Sequence, residues 1–152
     1  MKNGFIGCAA LALAFGVSVP ANAQESSYVP GSYADVSAID VLDGQFENYM
    51  DYLAGPWKTQ QEFSKSKGYI SSYQVLANPY ARAGEPDLFL VVVYPKVYDP
   101  AEQLRQQREF EAFVKADARK MDSAYGARGT MRKSLGQQQL QEPDATLFGQ
   151  HR

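Results

Sequence analysis

Hydrophobic and polar positions along this chain fall into short extended segments separated by two longer helical ones. Tyr33 to Gly44, YADVSAIDVLDG, alternates small and larger residues and stops at Asp43-Gly44, a turn signal, which predicts a first strand. From Gln45 to Lys67 the apolar residues Phe46, Tyr49, Met50, Leu53, Trp57 and Phe63 recur near one face, predicting a helix. Pro56 lies inside it and predicts a kink or a break near Gly55-Pro56, because proline donates no hydrogen bond and crowds the carbonyl of Tyr52. Gly68 is placed to cap the end.

YISSYQVLAN (69–78) alternates again and predicts a second strand, followed by the Pro- and Gly-punctuated loop PYARAGEP. DLFLVVVY (87–94) is apolar without alternation, and a strand of that kind must be covered on both faces. Asp99-Pro100 reads as a helix cap followed by proline in the first turn, opening a helix that runs to Asp122 and is broken by YGARGT. MRKSLGQQQLQ supplies a glutamine-rich last strand.

Two strand-helix-strand halves in succession specify an α+β, ferredoxin-like βαββαβ fold, a four-stranded antiparallel sheet with both helices on one face. The first and third strands then lie in the centre. Helices cover only one face, yet Leu88, Leu90, Val92 and Tyr94 alternate with Phe89, Val91 and Val93, so both faces of the third strand are apolar. A second copy of the sheet is expected to cover the open face as a two-fold homodimer.

The first residues change the picture of where this happens. A lysine, an apolar run from Phe5 to Val19, Pro20 and then Ala21-Asn22-Ala23 form a three-part secretory signal with cleavage after Ala23. The run is too short for a stable membrane anchor. Cys8 sits too near the start for lipoprotein processing and reads as part of the signal core. The expected organisation is signal 1–23, flexible lead-in 24–32, domain 33–142 and tail 143–152, with a periplasmic or secreted location. Cys8 is the chain's single cysteine, so the mature chain has no disulfide with which to stabilise itself. Net charge is −2 and no basic patch is interleaved with aromatics, which argues against nucleic acid as a partner; no later run is long enough to span a membrane.

The segments SYADVSAIDVLDGQFENYMDYL and LFLVVVY, with the charged helix that follows, resemble the dimeric α+β barrel superfamily, most closely its NIPSNAP-type branch and related exported bacterial proteins. The likeness runs from about Tyr33 to Leu140. It implies the fold and the dimer; the superfamily's activities range from cofactor-free oxygenases and isomerases to haem enzymes, so fold alone assigns none.

Phosphate loops, serine elbows, cysteine nucleophiles and zinc-type clusters are missing from the sequence, and the one histidine, His151, is next to last. No cofactor is therefore expected. The remaining catalytic candidate is Asp35. If Ala34, Val36 and Ala38 lie under the helices, then Tyr33, Asp35, Ser37 and Ile39 face the barrel interior, where a desolvated carboxylate suits a general base or ligand anchor. The structural alternative pairs Asp35 with Arg132 or Lys133. Of the aromatic residues, Tyr49, Tyr52, Trp57, Tyr73 and Tyr94 lie on elements that can border a pocket, Trp57 beside the backbone opened by Pro56, although helical spacing favours core. Arg128 and Arg132 bracket the entry to the last strand and can receive an anion. Arg82, Glu85 and Asp87 read as turn chemistry that delivers the third strand. The expected function is binding of a small organic ligand by Tyr33, Asp35, Trp57, Tyr73, Tyr94 and Arg132 between sheet and helices, with cofactor-independent oxygenase or isomerase chemistry, or assembly alone, as alternatives.

Overall fold

The computed structural model describes residues 30–143, so the signal segment, its Ala23 cleavage position, Cys8 and His151 lie outside the described residues. Strand β1, Pro30–Val41, starts three residues earlier than the alternation suggests, taking Pro30 to Ser32 from the lead-in. Asp43 and Gly44 turn the chain, and Gln45 donates its backbone N–H to the Leu42 carbonyl at 2.9 Å. Helix α1, Phe46–Tyr52, passes through a π-helical turn, Leu53–Trp57, into α2, Lys58–Ser66. The proline falls in this turn, and the chain stays helical through it rather than breaking. Pro56 lacks an N–H, and the wider winding lets Lys58 donate to Leu53, five residues back. The Thr59 hydroxyl donates to the Gly55 carbonyl at 3.0 Å. Gly68, at φ +72°, ends α2 in the left-handed conformation that glycine adopts without a side-chain clash.

Strands β2, Ser72–Ala77, and β3, Leu88–Tyr94, follow. Helix α3, Pro100–Val114, is capped by Asp99, whose carboxylate accepts from the Glu102 N–H at 2.9 Å. The single second helix of the sequence reading is in fact two. Lys115 turns left-handed at φ 52°, and Asp117 caps α4, Ala118–Ala127, by accepting from the Lys120 N–H. Tyr125 and Gly126 therefore lie within a helix rather than breaking it, a glycine near the end costing little. The break comes instead at Lys115-Ala116-Asp117, where a second cap competes with continuation. A short 3₁₀ turn, Arg128–Thr130, leads into β4, Arg132–Pro143.

The four strands form one antiparallel sheet in the order β2-β3-β1-β4. The α+β architecture is compatible with a ferredoxin-like arrangement, and β1 and β3 occupy the centre. Cross-strand register assigns the faces: Tyr33 pairs with Tyr94, Asp35 with Val92, Ser37 with Leu90 and Ile39 with Leu88. Ile39, Leu88 and Leu90 form the core with Tyr49, Leu53 and Trp57 of the first helical segments. Tyr33, Asp35 and Ser37 thus lie on the helix side and Ala34, Val36 and Ala38 on the other, the reverse of the expectation. Burying Ile39 with Leu88 gains about 1.5–3 kcal/mol per side chain, more than burying two alanines, so the larger residues decide the face.

Candidate functional site

A cavity of about 380 Å³ lies between the sheet and the helices. Its floor is Asp35 of β1, Val92 and Tyr94 of β3 and Gln139 of β4. Gln60, Gln61 and Ser64 of α2 form one wall; Gln103, Gln106, Gln107 and Phe110 of α3 form another, with Met121 of α4. Tyr69, Ile70 and the segment Lys96 to Tyr98 close one end.

Asp35 is half-buried and meets neither of its expected cations. Its Oδ1 accepts from Gln139 Nε2 at 3.0 Å, its neighbour in register on β4. Arg132 is opposite Val41, near the far end of β1, and Lys133 reaches Asp40 at 3.9 Å instead. The Tyr94 hydroxyl is pushed up to about 12, by burial first and then by the Asp35 charge and Tyr98. Beside it, the Tyr33 hydroxyl accepts from Gln141 Nε2 at 2.9 Å. Among the described residues Gln106 Nε2 is buried without a hydrogen-bond partner, and an unmet buried donor costs stability unless something reaches it.

The sequence-predicted residues separate into three groups. Asp35, Tyr94 and Tyr33 share one end of the helix-covered face, the first two lining the cavity. Trp57 is buried in the core and meets the Tyr73 ring edge-on, centroids 5.4 Å apart, while the Tyr73 hydroxyl donates to Glu62. They pack the fold and do not line the cavity; Trp57 is turned inward by the winding at Pro56.

Arg132 belongs to a third place. Its guanidinium lies 6.0 Å from the Tyr49 ring and 5.3 Å from Tyr125, and Arg128 lies 4.9 Å from Tyr52 and 4.8 Å from Tyr125. Tyr49 and Tyr52 stack at 5.7 Å. Burial raises the titration of both tyrosines, with the two arginines opposing it. This alternating stack pins α4 and the start of β4 to α1 through cation–π contact.

The loop before β3 is delivery. Arg82 and Glu85 pair within it at 2.9 Å. Asp87 does more than solvate: its carboxylate accepts from the Val41 N–H at 2.8 Å and its N–H donates to the Ile39 carbonyl at 2.9 Å, locking the loop to the end of β1.

What sequence reasoning missed is the glutamine lining. Gln103, Gln106 and Gln107 share one helix face by their spacing, the signal from which they could have been found. Among the described residues no group of His, Cys, Asp and Glu is placed to hold a metal ion, and no helix is long and apolar enough to cross a membrane. Comparison with family models, curated proteins and solved structures returns no match.

Proposed function

We propose that this chain is an exported small-molecule binding protein whose ligand occupies the cavity between sheet and helices. One observation carries the reading: the cavity joins an unpaired buried donor, Gln106 Nε2, to a carboxylate, Asp35, that forms no ion pair among the described residues. Its 380 Å³ falls in the range of about 300–1,000 Å³ usual for ligand sites. The first test is native mass spectrometry of the protein purified from the cells that make it. A bound organic molecule supports the reading, and a ligand-free protein that no small molecule stabilises overturns it.

The same carboxylate favours a second reading, cofactor-independent oxygenase or isomerase chemistry with Asp35 as base and the Tyr94 hydroxyl orienting the substrate. Turnover of the molecule found by mass spectrometry, lost in Asp35→Asn while binding persists, separates the two.

We also read the subunit as one half of a homodimer of the barrel type. The helix-free face carries Val36, Phe89, Val91 and Val93, and in the single chain Leu76 and Leu140 on it stay 46 % and 51 % exposed. Light scattering should give twice the chain mass, and Phe89→Glu should reduce it to one; a monomeric parent protein sinks the dimer.

A further inference from the structure

Resting on the cavity reading above, we propose that the ligand is a neutral saccharide, held by amide side chains and Asp35 and stacked on tyrosine. Charge gives the first reason. Among the described residues Asp35 and Lys96 are the only charged groups of the lining, and Lys96 is already engaged, 3.1 Å from Glu102 and 5.1 Å from the Tyr98 ring centroid. The remaining field is one carboxylate, too little to select a cation and the wrong sign for an anion.

Hydrogen-bonding chemistry gives the second. Six glutamines line this space, and each primary amide both donates and accepts. A hydroxyl does the same, so a polyol can answer every amide, whereas a carboxylate offers acceptors alone and an ammonium donors alone. A flat aromatic would leave the amides unmet, at a cost for each one buried. Three of the glutamines are internally occupied: Gln103 donates to the Tyr98 carbonyl at 2.8 Å, Gln107 to Glu111 at 2.9 Å and Gln139 to Asp35 at 3.0 Å. Gln106 is not. Its buried nitrogen is unmet among the described residues and fits a hydroxyl oxygen.

Shape completes the match. A sugar ring has an apolar C–H face as well as an edge of hydroxyls, and Tyr94 and Tyr98 present aromatic surface at the same cavity, their rings 6.5 Å apart and nearly perpendicular. Asp35, hydrogen-bonded through one oxygen to Gln139, keeps acceptor capacity for the hydroxyl pair of a ring edge.

The test titrates the isotope-labelled protein, expressed from the full chain, with glucose, galactose, N-acetylglucosamine, maltose and cellobiose, and in parallel with benzoate, 4-hydroxybenzoate and choline. Glutamine side-chain amide resonances are the readout. At least one sugar should move them saturably, and Asp35→Ala or Gln106→Leu should weaken that binding by about tenfold or more. Gln60→Ala, at an exposed position of the rim, guards against a variant that misfolds, and Leu104→Ala outside the cavity should change nothing. If the aromatic acids or choline move the resonances and the sugars do not, the ligand class is wrong while the cavity reading stands. If neither panel moves them, the adduct from the native source decides: a saccharide mass supports the inference and another mass overturns it. No adduct at all takes down the cavity reading together with this one.

Discussion

The two halves of this chain are built on the same plan and stabilised in different ways. In the first, α1, the π-helical turn and α2 bury Tyr49, Leu53, Trp57, Gln61 and Phe63, the first three of these packing with Ile39, Leu88 and Leu90 of the sheet. In the second, α3 and α4 bury no residue, and β4 is exposed along almost its whole length. The second arm is held at its rim. Phe63 meets Phe110 and Phe113 at 5.5 and 4.8 Å; Glu109 gathers Tyr69, Arg105 and Lys67; the arginine–tyrosine stack fastens α4. One half supplies the core and the other a wall standing off it. The cavity is the space left between them.

Truncation should separate the halves most sharply. Leu53→Ala removes a side chain 3 % exposed and should cost about 2–5 kcal/mol in denaturant unfolding. Phe113→Ala, 54 % exposed, should cost about 1 kcal/mol, the value of its ring contact with Phe63. Equal losses would mean that both arms share one core. Hydrogen exchange tests the same asymmetry without mutation. Amides of α1 and α2 should open with nearly the global free energy and those of α3 and α4 well below it.

Legibility in the sequence follows the same division. The first half was readable because its cues are local and agree: alternation to Asp43-Gly44, apolar residues at helical spacing, proline at the π-helical turn, Gly68 at the cap. In the second half Asp99-Pro100 was plain, but Lys115-Ala116-Asp117 carried a competing cap within an unbroken charged pattern, and only tertiary fit decides between one helix and two. The face of β1 was misread for a related reason. Alternation says that Asp35 and Ile39 share a side but not which side the helices take; packing of Ile39 on Leu88 and Tyr49 settles it. Helical spacing favours core for Trp57, and the structure buries it there; its edge-on partner Tyr73 comes from a strand that no local pattern brings beside it. The cavity's glutamines carry no catalytic signature, and their spacing alone does not say that a sheet faces them.

Smaller effects sharpen the picture at the joint between α3 and α4. Lys115 holds φ 52°, a conformation that strains any residue with a Cβ. Lys115→Gly should raise stability by up to about 1 kcal/mol, the cap strain relieved exceeding the entropy added to the unfolded chain. A loss instead would show that the lysine stem packs on the second arm and that this arm is better anchored than its exposure suggests.

The finest probe is Tyr94, on the cavity floor where the halves meet. Its hydroxyl is raised to about 12, so the folded protein retains that proton where the unfolded chain, near 10, releases it. The corresponding stability is fully present below pH 10 and is lost as pH rises from about 10 to about 12. Ultraviolet titration of tyrosinate should therefore find a late-titrating group that Tyr94→Phe removes. Asp35→Asn should lower that group's value by a small step, because the Asp35 charge opposes a second negative charge beside it, and burial should hold most of the shift. A Tyr94 that titrates near 10 in the parent protein would mean a wet floor. The second arm would then stand open in solution, and the cavity would have no wall from which Gln106 could reach a ligand.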